Sequence, residues 1–406
     1  MLRAALTIKF IMPIYLDNAA TSFPKPSQVT EAVEKTLRLN AANPGRGGHQ
    51  LSLQAGRLVM ECRETVARFF GIGDSSRIAF TANATEAINL GLFGVLQPGD
   101  RVVTTSMEHN AVVRPLRALS DRGVEVVRVM ADSLGFVDPV AIQAACIPGT
   151  RLLMMNHCSN VTGTLQAIEE IGPWCRKQGI VFMVDAAQSA GIFSIDVQDM
   201  AIDLLAVPGH KSLLGPPGTG FLYVRPGLDL QPLLYGGTGN FSQSESQPVE
   251  MPERLESGTL NTIGLAGLKA GIEFLEAVSL EHVRTHEQEL LHQLIDGLKG
   301  LEGVTLYGPL GSAHHGGALS FNIKKMDPSL LGFRLDREYG ICCRVGLHCA
   351  PEAHGSIGTI PEGTVRLSPG YFNTADDIEQ TLSAIRSIIA SEGLSRFRGS
   401  GVKELI

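Results

Sequence analysis

Short apolar runs alternate with amphipathic stretches along residues 15–262 of this chain. The runs resemble buried strands, and the stretches between them, such as Asn110–Asp121 and Ile168–Lys177, carry apolar residues at helical spacing. Strands that alternate with helices usually form a mainly parallel sheet with helices on both faces. The pattern therefore predicts an α/β fold.

The alternation stops near Thr262, and a long helical pattern from about Gly264 to Leu301 follows. We therefore predict a large domain over residues 15–262 and a smaller domain over residues 263–395. Residues 1–25 are predicted to pack near the small domain. A chain of 406 residues is long enough to bury the core of such a unit.

Charge and hydropathy exclude several classes of protein. A net charge of −7 with no Lys/Arg-rich run argues against nucleic-acid binding. No apolar stretch reaches the roughly 18 residues that a membrane-spanning helix requires. Residues 1–11 resemble a short signal peptide, but Lys9 interrupts them and no cleavage site follows, so we expect a cytoplasmic protein.

The cysteines support the same location. Their number is odd and their spacing irregular, which favours a reducing cytosol. No pair has the Cys-x-x-Cys spacing, so we expect no metal site. The seven cysteines are Cys62, Cys146, Cys158, Cys175, Cys342, Cys343 and Cys349.

Lys211 stands between two apolar runs, Leu204–Pro208 and Gly220–Val224, which are predicted to be buried strands. An ammonium group near the interior is costly, and burial lowers the pKa of a lysine so that its amine becomes nucleophilic. Such an amine can form a Schiff base with an aldehyde cofactor. The alternative is a lysine that extends into solvent from a surface turn.

Asp185 follows the apolar run Ile180–Val184, at the carboxyl end of a predicted strand, where open α/β sheets bind ligands. A carboxylate there can hold a pyridine nitrogen protonated, which keeps the ring an electron acceptor. Gln188, three residues further on, can reach the same ligand. The alternative is that Asp185 caps the next helix.

These two motifs, Val184–Gln188 (VDAAQ) and Gly209–Lys211 (GHK), carry a resemblance to a known family. From about residue 15 to about residue 390, the chain resembles the class-V, fold-type I enzymes that depend on pyridoxal 5′-phosphate (PLP), in particular the cysteine desulfurases. The resemblance implies a mainly parallel seven-stranded sheet between helices in the large domain and a smaller α+β C-terminal domain. It also implies PLP as the cofactor, held by Lys211, Asp185, Gln188 and His210.

Three further segments match cofactor contacts of the family. Thr81–Asn89 looks like a turn that opens a helix, and the resemblance places Ala84 and Thr85 at the cofactor phosphate, although an ordinary N-cap would give the same pattern. His109 matches the histidine that stacks on the PLP ring and relays protons, a task suited to an imidazole with a pKa near neutrality. Asn160 matches the residue that contacts the pyridoxal 3′-oxygen and borders the substrate.

One position departs from the family pattern. The family usually has Ser or Thr two residues before the histidine of the GHK motif, whereas this chain has Pro208. Proline lacks both the hydroxyl and the backbone N–H, so we expect a phosphate contact to be lost or replaced elsewhere. The Schiff-base lysine itself is unaffected.

The segment Arg254–Thr262 contains a Ser-Gly-Thr turn, which alone is a generic signal. In the resembling enzymes this Gly-Thr pair reaches the cofactor phosphate of the neighbouring subunit. Thr259 therefore implies a homodimer with shared active sites. Asn40–His49 is a glycine-rich loop before a helix predicted from about Leu51 to Phe70, and the family's matching segment lies at the substrate entrance, so Arg46 and His49 become candidates.

The segment from Arg344 to Cys349 reads R-x-G-x-H-C, which matches the nucleophile motif of the desulfurases. A cysteine beside a histidine on a Gly/Pro-punctuated loop can be exposed, mobile and partly ionised, whereas the alternative is a buried free cysteine. Arg366 matches the family's anchor for the substrate α-carboxylate, because a guanidinium binds a carboxylate through two parallel hydrogen bonds. Arg344 is a second candidate for that contact.

The resemblance implies a catalytic set of Lys211, Cys349 and His109 that converts L-cysteine to L-alanine and leaves the sulfur on Cys349 as a persulfide. A sulfur-acceptor protein and a role in sulfur metabolism such as iron–sulfur cluster assembly follow from it. Selenocysteine lyases, epimerases and aminotransferases of class V share the PLP residues and stay open as alternatives. A non-catalytic PLP-binding or sulfur-relay scaffold is disfavoured, because Lys211, Asp185, Arg366 and Cys349 are all present.

Overall fold

The computed structural model describes residues 13–45, 48–239, 243–311 and 313–398, with side chains in the last helix through residue 392. The strands are β1 (Ile14–Tyr15), β2 (Ile78–Thr81), β3 (Arg101–Thr105), β4 (Glu125–Val129), β5 (Thr150–Asn156), β6 (Val181–Asp185), β7 (Leu204–Pro208), β8 (Gly220–Val224), β9 (Val304–Tyr307), β10 (Leu319–Ile323), β11 (Ile341–Cys342), β12 (Arg344–Gly346) and β13 (Thr364–Leu367). The helices are α1 (Ser27–Leu39), α2 (Gln50–Phe69), α3 (Ala84–Val95), α4 (Asn110–Ser120), α5 (Pro139–Ala145), α6 (Ile168–Gln178), α7 (Thr262–Val278), α8 (Leu280–Lys299), α9 (Pro328–Tyr339), α10 (Pro351–Ser356) and α11 (Ala375–Arg398). Across these residues, none of the helices combines the length and the apolar character that a membrane span requires.

A seven-stranded sheet forms the centre of the large domain, with the order β2-β8-β7-β6-β5-β3-β4. Neighbouring strands are parallel except at β8, which runs antiparallel to β2 and β7. The sheet is thus mainly parallel, as predicted. Because the β–α units all run in the same direction, the carboxyl ends of β3, β5, β6 and β7 meet at one edge, where open α/β sheets bind ligands.

Alternate residues of each strand face opposite layers of helices. Along β7, Leu205 and Val207 pack in the core cluster that includes residues of α2, α6 and α7. Leu204 and Ala206 pack in the cluster that includes residues of α3 and α4. Burial of both faces explains why these strands are continuous apolar runs in the sequence rather than alternating patterns.

The small domain contains an antiparallel sheet in the order β12-β13-β10-β9, with α8, α9 and α11 packed around it. Strand β1 pairs with β11 in parallel, and Leu16 is buried in the core of this domain. Residues 14–16 therefore pack on the small domain, whereas Ser22 and Lys25 further along donate hydrogen bonds to the turn after β7. Residues 1–12 of the predicted contact lie outside the described residues.

The helical pattern predicted over Gly264–Leu301 is two helices that separate at Ser279, whose φ of +67° breaks the helical path. Helix α7 packs against α1 and α2 in the large domain, whereas α8 packs against β9 and α11 in the small domain. Helix α7 buries its apolar residues in the core of the large domain, and the boundary near Thr262 stays a prediction.

Candidate active site

A cavity of about 240 Å³ lies at the carboxyl edge of the large sheet, and both domains contribute to its wall. Most of the residues singled out in the sequence line it, although they come from segments that are far apart along the chain. They are Ala84, Thr85, His109, Asn160, Asp185, Gln188, His210, Lys211, Arg344, Arg366 and Cys349. The structure therefore brings the predicted cofactor, substrate and sulfur residues into one site.

Lys211 enters the cavity from a tight turn after β7. A Cβ atom on Gly209 would lie 2.2 Å from the Thr219 Oγ1 atom, so only glycine permits this close approach. The Lys211 carbonyl accepts a hydrogen bond from Ser22 Oγ at 2.8 Å, which ties the turn to the N-terminal segment. Burial, together with the positive charges of Arg366 and Arg344, lowers the pKa of Lys211 to about 8, although Asp185 opposes the change. A neutral amine is thus accessible near physiological pH.

Asp185 ends β6 and is buried, with its Oδ1 atom accepting a hydrogen bond from the Ala187 N–H at 2.8 Å. Burial raises the pKa of this carboxyl group, while the nearby Lys211 ammonium lowers it. Gln188 follows on the same turn and donates from Nε2 to the Ala19 carbonyl at 3.0 Å. A buried carboxylate of this kind is suited to pair with a protonated ring nitrogen.

Helix α3 begins at the cavity wall, which gives Ala84 and Thr85 their position. Asn83 caps the helix, since its side-chain oxygen accepts a hydrogen bond from the Glu86 N–H at 2.9 Å. A Cβ atom on Gly220 would lie 2.9 Å from the Asn83 backbone, so the glycine lets the strand approach the helix terminus. The positive end of the helix dipole therefore faces the cavity and is suited to an anion.

Among the histidines that line the cavity, His109 and His210 have different hydrogen-bond partners. His109 caps α4, and its Nδ1 atom accepts a hydrogen bond from the Ala111 N–H at 3.0 Å. Burial and the positive charge of Lys211 lower the pKa of His109 to about 4, so the expected pKa near neutrality is not found. The neutral ring then carries its proton on Nε2 and offers it as a donor. Burial likewise lowers the pKa of His210 to about 4, and its Nδ1 atom lies 3.1 Å from Thr21 Oγ1.

Arg366 lies on β13 and is almost wholly buried, at 1% exposure. Its Nη1 donates to the Asn160 carbonyl at 2.9 Å, and its Nη2 donates to Asp17 Oδ1 at 2.6 Å. Its Nε has no hydrogen-bond partner within the described part of the chain. Burial lowers the pKa of this guanidinium while Asp17 raises it. The ion pair with Asp17 fixes the orientation of the group.

Cys349 lies on the small-domain side of the cavity and is exposed. Its Sγ atom lies 3.4 Å from Nη2 of Arg344, which is therefore a direct neighbour of the thiol. His348 and Cys349 both have positive φ angles, of 48° and 60°. This left-handed bend turns the imidazole of His348 inward, where its Nε2 atom lies 2.9 Å from Thr364 Oγ1. His348, the residue before Cys349, thus anchors the Cys349 bend to Thr364 on β13.

The segment that carries Cys349 is tied to the large domain on both sides. The carbonyl of His348 accepts a hydrogen bond from Asn160 Nδ2 at 2.7 Å, and the carbonyl of Cys349 accepts one from the Asn110 N–H at 2.7 Å. Helix α10 follows directly, and its Glu352 forms an ion pair of 3.0 Å with Arg128 at the end of β4. The predicted Gly/Pro-punctuated loop around Cys349 therefore continues into a short helix that is docked on the large domain.

Three candidates lie elsewhere. Thr259 lines a second cavity of about 520 Å³, together with Asn43–Gly45 and Gly237–Gly239, and not the Lys211 cavity. His49 is exposed at the N-terminus of α2, where its Nδ1 atom accepts a hydrogen bond from the Ser52 N–H at 3.2 Å. Arg46 lies outside the described residues.

Sequence reasoning missed several residues that support the site. Asp17 orients Arg366, and Lys25 donates from Nζ to the His210 carbonyl at 2.7 Å beside the lysine turn. Burial lowers the pKa of Lys25 to about 8. Asn156 lines the cavity at the end of β5, in register with Asp185. The sequence features that could have pointed to these residues are the polar residue that ends β5 and the polar residues of the segment 15–25.

Pro208, the departure from the family pattern, also lines the cavity. It ends β7 opposite Gly220, close to the start of α3. The missing hydroxyl is therefore a local change in the wall that faces Ala84 and Thr85.

Comparisons with known proteins agree with this geometry. The family model for aminotransferase class-V matches residues 14–381. A probable cysteine desulfurase from Methanothermobacter thermautotrophicus is 39% identical over 90% of this chain and 92% of its own, and one from Pyrococcus abyssi is 36% identical over 93% and 94%. The apo structure of cysteine desulfurase from Thermococcus onnurineus superposes with a TM-score of 0.88, at 35% identity, over 93% of this chain and 95% of that one. The chain therefore belongs to the class-V aminotransferase family, and within that family it is similar to the cysteine desulfurases.

Proposed function

We propose that this protein is a PLP-dependent cysteine desulfurase that converts L-cysteine to L-alanine and receives the sulfur on Cys349 as a persulfide. The observation that carries this proposal is the shared cavity of Lys211, Asp185, Arg366 and Cys349. These four residues provide an amine, a buried carboxylate, a guanidinium and an exposed thiol, which are the groups that the reaction requires.

The wall of the cavity fits PLP in its chemistry. An amine whose pKa is lowered to about 8 is available at Lys211 for the aldehyde, and Asp185 is a buried acid for the ring nitrogen. The start of α3 at Ala84 and Thr85 offers a helix N-terminus to the phosphate. Gln188, His210 and Asn160 complete the set of polar groups that we assign to the cofactor. When bound, PLP supplies an electron-accepting ring that withdraws electrons from the α-carbon of the amino acid.

Lys211 and Asp185 divide the work at the buried side of the cavity. We assign to Lys211 Nζ the movement of the α-proton, because its lowered pKa leaves a neutral fraction of the amine at neutral pH. The ionised form of Asp185 would keep the ring nitrogen of bound PLP protonated, through its negative charge and a hydrogen bond. The ammonium of Lys211 favours that ionised form.

His109 contributes a neutral imidazole. Because its Nδ1 atom accepts the Ala111 N–H, the proton lies on Nε2, and this N–H can donate to a group that gains negative charge. We assign to His109 the contact with the face of the ring and a proton relay between substrate and solvent.

Substrate orientation falls to the two arginines. Arg366 presents a buried cation whose Nε–H finds no partner among the described residues, and we assign to it the α-carboxylate of L-cysteine. Asp17 holds that guanidinium in place at 2.6 Å. Arg344 contacts the Cys349 thiol, so we assign to it mainly the stabilisation of the negative charge on the Cys349 thiolate. Contact with the substrate carboxylate is its secondary role.

In sulfur transfer, the bonds to sulfur that form and break involve only Cys349 and the substrate. The Cys349 thiolate attacks the sulfur of the substrate and forms an S–S bond, while the C–S bond of the substrate breaks. The electron pair of that bond stays with the carbon, which takes up a proton and leaves as alanine. The exposure of Cys349 lets a sulfur acceptor reach the persulfide afterwards.

A product assay tests this function. Purified holoenzyme receives L-cysteine and a reducing thiol, and alanine and sulfide are measured together for the wild type and for Cys349→Ser. We expect equal amounts of both products from the wild type, and loss of both from the variant with the absorbance of bound PLP unchanged. Cys342→Ser, in the same segment of the chain, is the matched control and should keep its activity. If Cys349→Ser still forms alanine and sulfide at the rate of the wild type, the assignment of Cys349 is wrong.

We also propose a homodimer in which Thr259 reaches the active site of the neighbouring subunit. The position of Thr259 in a separate cavity, away from Lys211 of its own chain, supports this proposal. Large apolar side chains on segments next to that cavity are exposed, among them Leu234, Tyr235 and Val249. Light scattering of the holoenzyme should give twice the mass of one chain. A monomer that retains full activity would contradict the proposal.

Two proposals concern the cellular setting. A sulfur-acceptor protein would remove the persulfide from Cys349, for uses such as iron–sulfur cluster assembly, and the exposed position of the thiol supports this. A cytoplasmic location is supported by seven cysteines that are all free.

A further proposal concerns His49, which is exposed at the start of α2. We place it at the substrate entrance of the assembled dimer, where the partner subunit covers the start of α2.

A further inference from the structure

Glu108 is wholly buried in the turn between β3 and α4, immediately before His109. Its Oε1 atom accepts two hydrogen bonds, from Thr105 Oγ1 at 2.6 Å and from the Asn156 N–H at 3.1 Å. The same turn is tied to Asn156 a second time, because Asn156 Nδ2 donates to the Met107 carbonyl at 2.8 Å. Glu108 therefore connects the turn that carries His109 to a residue in the wall of the active site.

The second oxygen of the Glu108 carboxyl group, Oε2, differs from Oε1 in its hydrogen bonding. Among the described residues, Oε2 of Glu108 has no hydrogen-bond partner, and neither has Oδ1 of Asn156. Two buried acceptors on residues already in contact are costly if both lack a donor. A proton on Oε2 of Glu108 would supply a donor, and Oδ1 of Asn156 is an acceptor that needs one.

The charges that act on Glu108 favour the protonated acid. Asp185 on β6 and Glu352 on α10 both contribute negative charge, and Arg128 is occupied in the ion pair with Glu352. Burial is the largest effect and raises the pKa of Glu108 to about 8, against the hydrogen bonds from Thr105 and Asn156, which lower it. His109, the next residue, has a pKa lowered to about 4, so it is neutral at neutral pH and does not offset these negative charges.

We propose that Glu108 is a positioning residue that works as a neutral hydrogen-bond donor to Asn156, which fixes His109 at the cofactor and keeps a second negative charge away from Asp185. A carboxylate at this position would repel Asp185 and would leave both acceptors unpaired. The effect on activity rests on the proposed desulfurase function, whereas the protonation of Glu108 does not.

Infrared difference spectroscopy tests the protonation directly. The spectrum of Glu108→Gln is subtracted from that of the wild-type holoenzyme in heavy water at neutral pH. We expect a positive band from the carbonyl stretch of a protonated carboxyl group, which disappears as the pH rises well above 8. A difference spectrum with only carboxylate bands at neutral pH would overturn the proposal, whether or not the protein makes alanine.

Glu287 provides a matched control. It is a second buried glutamate whose pKa burial raises to about 8, and it accepts a hydrogen bond from the Tyr371 backbone rather than from the turn before His109. Glu287→Gln should remove a band of its own and leave the Glu108 band, the alanine rate and the PLP absorbance unchanged. If Glu287→Gln removes the band assigned to Glu108, that assignment is wrong.

Two substitutions test the positioning role. Gln is neutral, keeps the shape and can both donate to Asn156 and accept from Thr105, so Glu108→Gln should keep the alanine rate within about twofold. Glu108→Leu removes all of these bonds and should lower kcat by about 100-fold and shift the PLP absorbance, because His109 is misplaced. A Gln variant as impaired as the Leu variant, or a fully active Leu variant, would overturn the role. If the Leu variant fails to fold, the Gln variant and the infrared band still decide the question.

Discussion

Lys211 and Cys349 line the same cavity but stand in opposite environments. The lysine lies in a tight turn at the end of a strand whose five residues are all buried, and its pKa is lowered to about 8 by that burial. The cysteine lies on a left-handed bend of the small domain and is exposed. Proton transfer at the α-carbon gains from a dry site in which burial changes the pKa of the base, whereas sulfur must leave through a site that another molecule can reach.

The two sides are also held in different ways. Around Lys211 the fixed groups are charged: Asp185 lies nearby, and Arg366 is paired with Asp17. Around Cys349 neutral groups hold the backbone: Asn160 Nδ2 and the Asn110 N–H donate to its carbonyls, and His348 is buried. The charged groups on this side are Arg344, which touches the thiol itself, and the Arg128–Glu352 ion pair at the following helix. We therefore expect changes on the lysine side to act on the chemistry itself, and changes on the cysteine side to act on sulfur transfer and local stability.

The largest expected effect is that of Lys211→Ala. Without the amine, the cofactor has no covalent link and the α-proton has no base, so alanine formation should fall by about 10³-fold or more. The absorbance of bound PLP should change to that of a free aldehyde. Steady-state alanine production and an absorbance spectrum of the purified protein measure the two effects.

Lys177→Ala, on the exposed surface of α6, is the control and should leave both measurements unchanged. If Lys211→Ala keeps more than about a tenth of the wild-type rate, a different residue is the base, and the contrast between the two sides of the cavity is lost.

The buried side of the cavity was predictable from sequence to a large extent. The strands Leu204–Pro208 and Gly220–Val224 have the predicted bounds, because continuous apolar runs between turn residues leave little freedom in assignment. The predicted fold class, family, cofactor and desulfurase activity are confirmed by the comparisons. These predictions came from motifs whose residues lie close together in sequence. The roles of individual residues stay predictions.

What could not be predicted depends on contacts between distant segments. From the sequence, Arg344 was predicted as a second contact for the substrate carboxylate. The folded chain, with its left-handed bend at Cys349, instead places the Arg344 guanidinium next to the Cys349 thiol. The inward rotation of His348 and the pairing of Asp17 with Arg366 likewise arise from tertiary packing. The pKa of His109 departs from the expected neutral range for the same reason, since burial and Lys211 act on it only in the folded chain.

A smaller effect separates the two arginines and thereby sharpens the contrast. Arg366→Lys keeps the charge beside Asp17 but loses the planar fork, so KM for L-cysteine should rise by about tenfold or more while kcat changes less. Arg344→Leu removes the cation 3.4 Å from Sγ of Cys349, so kcat for sulfide release should fall by about tenfold with a small change in KM. Initial rates over a range of L-cysteine concentrations measure both parameters.

Arg337→Leu, an exposed arginine on α9, is the control for the loss of a positive charge. If Arg344→Leu raises KM and leaves kcat unchanged, Arg344 serves the substrate carboxylate, and the cysteine side of the cavity has no charged support of its own.

The smallest expected effect concerns acid pH and the neutral anchor under Cys349. Burial lowers the pKa of His348 to about 2, and its Nδ1 atom has no partner among the described residues. The unfolded chain therefore binds this proton more readily than the folded chain, so the free energy of unfolding decreases as the pH falls below about 6.5. Above that pH neither state binds the proton and no loss remains. At pH 5 the loss from one such histidine is about 2 kcal/mol.

His348→Gln isolates this contribution, because glutamine can still donate to Thr364 Oγ1 and does not titrate. We expect the urea unfolding free energy of the variant to fall less between pH 7 and pH 5 than that of the wild type, by about 2 kcal/mol. His282→Gln, at an exposed position on α8, should follow the wild type. Equal losses in the wild type and in His348→Gln would mean that His348 does not stay neutral, and that the cysteine side depends on a buried charge as the lysine side does.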